Sequence, residues 1–115
     1  MTKDPTDTAL LTARALVLAD LRTHGRETPQ AVTVVEHALV ERAWWIDQWP
    51  EGAPYVPGLI AQDVQEALAE QGTTWPPCPL HDDHPLYIEP ELGEDPHWVC
   101  EKDAIEIAAL GALTA

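Results

Sequence analysis

The stretch that decides the fold is Cys78-Pro79-Leu80-His81-Asp82-Asp83-His84-Pro85, followed after an acidic interval by His97-Trp98-Val99-Cys100. Both cysteines of the chain and three of its five histidines fall within these 23 residues. Two residues separate Cys78 from His81, and two separate His97 from Cys100. Such a gap lets a tight turn aim two side chains at one ion, and Pro79 stiffens the first turn. Thiolates and imidazoles at this spacing are the donor set of a tetrahedral zinc site, which needs four ligands at about 2.0–2.3 Å.

Two plainer readings compete. The cysteines can be small buried hydrophobes with the histidines on a loop, or they can form a disulfide. The chain opens Met-Thr-Lys-Asp-Pro, without a signal-peptide pattern, so thiols or metal ligands are expected rather than a disulfide. The segment also has few large apolar residues, so its loops need an external tie. A structural zinc ion supplies on the order of ten kcal/mol of folding free energy. Cys78, His81 and Cys100 are the firm ligands. The fourth is His84 or His97, with Asp103 behind them. His97 gains from the mirrored spacing, but residues three apart on a regular strand point to opposite faces. His84 lies close to the first turn. Asp103 completes a Cys100-x-x-Asp103 spacing, although carboxylates are uncommon in closed structural sites.

A Cys-Pro-x-His knuckle, a hairpin and a Trp-x-Cys second knuckle resemble a zinc ribbon. The pattern Trp75-Pro-Pro-Cys-Pro-x-His, then His84-Pro-Leu, then Trp98-Val-Cys is also similar to small uncharacterised actinobacterial proteins. The resemblance covers roughly residues 73–111. It implies a fold and a structural Zn2+, and no activity. One departure stands out: a standard ribbon carries a Cys pair in its second knuckle, where this chain has Cys100 and then Asp103.

Around this segment, Leu86–Glu89 and His97–Cys100 read as short strands joined by the acidic turn Pro90–Pro96. Ile105–Ala108 alternates as a third strand, with a short helix as the alternative. Upstream the periodicity is helical. Asp4-Pro5 caps a first helix whose face is Leu10, Ala13, Val17 and Leu21, and Gly25 stops it. Thr28-Pro29 repeats the start signal for a second helix with Val32, Val35, Leu39, Ala43 and Ile46 inward, ending at Trp49 before Pro50. A third helix runs from about Pro57 to Gln71 with Leu59, Ile60, Val64, Ala67 and Leu68 buried. The expected class is α+β: an N-terminal three-helix bundle over residues 1–72, then a small zinc-ribbon-like β module over residues 73–115. Trp44, Trp45 and Trp49 are expected to pack against the third helix and the zinc module. A partner-binding surface is the alternative, since Trp is enriched at such sites. Trp75 and Trp98 flank the knuckles and are expected to cover the metal.

The formal net charge is −14, from 20 acidic and 6 basic side chains. Residues 77–115 alone carry nine acids and one base, Lys102. This excludes direct nucleic-acid binding, which depends on Lys and Arg displacing counterions. No run of about 20 apolar residues implies a membrane span. No phosphate loop, Gly-x-Ser-x-Gly elbow or Ser/His/Asp order appears. The reading is therefore a non-enzymatic, zinc-stabilised acidic adaptor of a bacterial cytoplasm, with a basic protein as partner. An acidic DNA mimic that regulates or inhibits a nucleic-acid-binding protein is the alternative. A small zinc enzyme, with Glu101 or Asp103 as base, is the third.

Overall fold

The computed structural model describes residues 4–114; Met1–Lys3, part of the stretch read above for a signal-peptide pattern, lie outside the described residues. The architecture is α+β, with three helices followed by a three-stranded antiparallel sheet. Helix α1 spans Pro5–Thr23, α2 Pro29–Gln48 and α3 Val56–Glu70, with a 3-10 turn at Pro50–Tyr55 between the last two.

The helix ends follow local chemistry. Asp4 caps α1 by accepting from the Thr6 amide at 2.9 Å and the Thr6 hydroxyl at 2.8 Å. These hydrogen bonds hold the Asp4 carboxyl below its ordinary range. At the other end Gly25 takes φ +66°, the Gly25 amide donates to the Arg22 carbonyl, and the Arg26 amide donates to Leu21. A left-handed glycine satisfies the last carbonyls in this way. Helix α2 starts with Thr28 accepting from the Ala31 amide at 3.1 Å, and Pro29 occupies its first position.

The inward face of α2 differs from expectation. Ala31, Val34, Val35, Ala38 and Ile46 are buried, whereas Ala43 is exposed and Val32 and Leu39 are half-buried. This helix is apolar around much of its circumference, so its periodicity admits two adjacent stripes. The stripe with Ala31 and Ala38 turns inward, where small side chains allow neighbouring helices to approach closely. Arg42 then reaches α3 with a paired hydrogen bond to Asp63, at 2.7 and 2.9 Å.

The sheet is a meander in the order β1-β2-β3, built from Tyr87–Glu89, His97–Cys100 and Ile105–Ala109. The third segment is thus a strand, not a short helix. Ile88 pairs with Trp98 and Glu89 with His97. Side chains alternate across a strand, so β2 turns Trp98 and Cys100 inward and leaves His97 and Val99 on the half-exposed face.

One continuous core crosses the expected boundary at residues 72–73. It joins Val17, Leu21, Val35, Ile60 and Val64 of the helices to Trp75, Leu86, Trp98 and Leu113. Trp75 and Trp98 meet edge to face with ring centres 5.3 Å apart. A polar tie runs through this core. Asp20 of α1 is fully buried. It accepts from the Trp98 indole N–H at 2.8 Å, the Gly111 amide at 2.7 Å and the Leu113 amide at 3.1 Å. Gln65 of α3 likewise donates to the Trp75 carbonyl.

Candidate metal centre

Residues 76–86 form a closed loop. The Leu86 amide donates to the Pro76 carbonyl at 2.9 Å, and Pro77 bridges Pro85. The prolines deny this loop a helix, and its closure brings Cys78, His81 and His84 to one side. Cys100 arrives from the inward face of β2. The donor atoms of Cys78, His81, His84 and Cys100 all lie within 4.8 Å of one another. Both thiols are buried and free. His81 Nδ1 is 3.6 Å from Cys78 Sγ and 3.5 Å from Cys100 Sγ. His84 Nε2 is 3.8 Å from Cys100 Sγ and 3.1 Å from His81 Nδ1.

The second nitrogen of each ring is also occupied. His84 Nδ1 lies 2.8 Å from the Pro85 carbonyl oxygen, which can only accept, so this nitrogen carries the proton. His81 Nε2 lies 3.3 Å from an Asp103 carboxylate oxygen. With those protons placed, neutral imidazoles present two lone pairs to each other across 3.1 Å, beside two sulfurs. Facing lone pairs repel unless a proton or a metal cation sits between them. The donor set therefore suits a four-coordinate metal ion. Backing of this kind fixes ring orientation and tautomer at metal sites.

The structure places the sequence candidates unevenly. It gathers Cys78, His81, His84 and Cys100, and leaves His97 outside. His97 sits on the other face of β2, with Nδ1 2.7 Å from the Asp95 carbonyl oxygen and Nε2 3.6 Å from a Glu106 carboxylate oxygen. Strand alternation is the cause, and it outweighs the mirrored spacing. Asp103 stands behind His81 rather than among the four. Three donors thus come from one loop and one from a strand, where a two-knuckle ribbon divides them evenly. Trp75 and Trp98 are core residues packed edge to face. Asp20, which seats β2 against α1, is not among the residues that the sequence pattern singles out. Its signal was a carboxylate set within the inward stripe Ala13-Val17-Leu21.

The fold and cluster together define an α+β protein with a Cys2His2 cluster whose donor atoms could hold a metal ion. The chain belongs to the family described as Domain of unknown function (DUF8819), whose model matches residues 6–110. The match spans the helices, the loop and the sheet together. No curated protein and no solved structure matches the chain.

Proposed function

We propose that this protein is a non-enzymatic, zinc-stabilised interaction protein that works as an adaptor in a bacterial cytoplasm, its acidic surface receiving a basic protein partner. The observation that carries the proposal is the closed donor set. Four protein donor atoms converge within 4.8 Å of one another, enough to supply all four places of a tetrahedron, whereas a catalytic zinc keeps one place for water. An ideal zinc tetrahedron has edges of about 3.4 Å between nitrogens and 3.6 Å between nitrogen and sulfur. The corresponding separations here are 3.1 Å and 3.5–3.8 Å. Two thiolates and two imidazoles favour zinc over hard cations such as magnesium or calcium, which take oxygen ligands.

The partner chemistry follows from charge. A net charge of −14 on 115 residues repels nucleic acid and attracts cationic surfaces. Among the described residues no helix is long and apolar enough to cross a membrane.

The test is metal analysis of protein purified without an immobilised-metal column. The expected result is one zinc per chain, lost in Cys78→Ala. Metal-free wild-type protein whose unfolding is indifferent to a chelator would refute the structural role. Full zinc in the variant would refute the ligand assignment.

A further inference from the structure

The tryptophans at the end of α2 divide into two groups. Trp45 packs on the core and meets Trp49 edge to face at 5.2 Å, and Trp49 leans on Tyr55 at 5.7 Å. Gly52 lies beneath them. A Cβ there would fall 2.6 Å from Trp49 and 2.7 Å from Trp45, so this corner is closely fitted. Trp44, about 100° further round the helix, stays outside with 69% of its surface exposed. Val40, one turn earlier, is 70% exposed, and Trp49 is 39% exposed. Trp75 and Trp98, by contrast, are fully enclosed.

Glu41 and Asp47 lie three residues before and after Trp44, both exposed. Residues three apart on a helix are surface neighbours, so two carboxylates bracket one indole. The only cation of α2, Arg42, is already committed to Asp63 and lies over Trp45 at 5.3 Å. No other basic residue follows before Lys102. Among the described residues, the chain thus satisfies one indole internally with a guanidinium and a carboxylate, and offers the next indole with carboxylates and no cation.

We infer that the Val40–Trp44 stripe of α2 is a docking surface for an arginine- or lysine-bearing segment of a protein partner, the cation stacking on Trp44 between Glu41 and Asp47. This rests on the adaptor reading and locates its contact. Charge complementarity selects the occupant. A second copy of a −14 chain is repelled, whereas a cation over an indole gains from the ring face and from both acids.

The probe is a synthetic amphipathic peptide carrying arginine on one face and leucine on the other, with a glutamate-for-arginine twin as control. Binding to metal-loaded protein is followed by calorimetry and by the indole N–H resonances of the five tryptophans. Arginine-peptide binding that moves the Trp44 resonance, and weakens about tenfold in Trp44→Ala and in Glu41→Gln/Asp47→Asn, is the expected result. Both variants alter exposed side chains, so metal content and circular dichroism should stay at wild-type values. Equal binding by wild type and variants overturns the docking site and leaves the adaptor reading standing. No binding by any of them overturns both. Self-association in sedimentation that Trp44→Ala abolishes also overturns the inference, because the occupant is then a second copy.

Discussion

Replacing Asp20 tests the physical account of this fold most directly. Its carboxylate is fully buried and accepts three hydrogen bonds, two on Oδ2 from Trp98 and Gly111 and one on Oδ1 from Leu113. Asp20→Ala leaves all three donors without their acceptor. An unsatisfied buried donor costs about 1–3 kcal/mol, and recovery of the carboxylate's own burial cost offsets part of the sum. A net loss of about 3–5 kcal/mol is expected. For a domain stable by about 5–15 kcal/mol this is a large fraction. Asp20→Asn should cost less. Its amide oxygen can keep the Oδ2 position and both bonds there, while its NH2 group is set against the Leu113 amide. That is one lost bond and one donor–donor conflict, about 1–3 kcal/mol. Urea unfolding of metal-loaded protein, followed by tryptophan fluorescence, measures both. With a slope of about 2 kcal/mol/M, the Ala variant should unfold about 2 M earlier than wild type, and the Asn variant in between. An Ala variant within about 1 kcal/mol of wild type, or an Asn variant no better than Ala, would refute the reasoning.

Three further outcomes follow from the same geometry. Asp103→Ala should keep one metal per chain but bind it about 10–100-fold more weakly in a chelator competition, because His81 loses the acceptor at its outer nitrogen. His97→Ala should leave metal affinity near wild type while His84→Ala weakens it severely; the reverse order in the same competition would mean that the loop closes differently. Asp4→Ala should lower the thermal midpoint at neutral pH. The folded Asp4 carboxyl titrates below its ordinary value of 3.8, so its contribution is complete above that pH and fades as the pH falls through the lower folded value. The difference in midpoint between variant and wild type should therefore close in acid, which calorimetry at several pH values can follow.

Much of this was legible in the residues because it depends on neighbours in the chain. The Asp4-Pro5 and Thr28-Pro29 starts, the stop at Gly25 and the break at Trp49-Pro50 are local, and so is alternation in β1 and β2. The gathering of Cys78, His81 and Cys100 was legible from donor type and spacing. The choice between His84 and His97 was not, because it turns on which face of β2 looks inward and on how residues 76–86 close. The inward face of α2 lies a fraction of a turn from the expected one because Val32 and Leu39 are as apolar as Ala31 and Ala38. The role of Asp20 was not legible because its partners lie 78 to 93 residues away, and a carboxylate's burial is set by what folds over it.

Strand β2 is a short spar with two fittings on one side. Cys100 offers its thiol to the candidate metal site, and two residues away, about 7 Å along the chain, the Trp98 indole is moored to α1. Stripping the metal therefore ought not to cast off a tail while the helices carry on undisturbed. It should slacken the mooring itself, so that amide hydrogens of α1 around Asp20, and those of Gly111 and Leu113, exchange faster with solvent once the ion is gone.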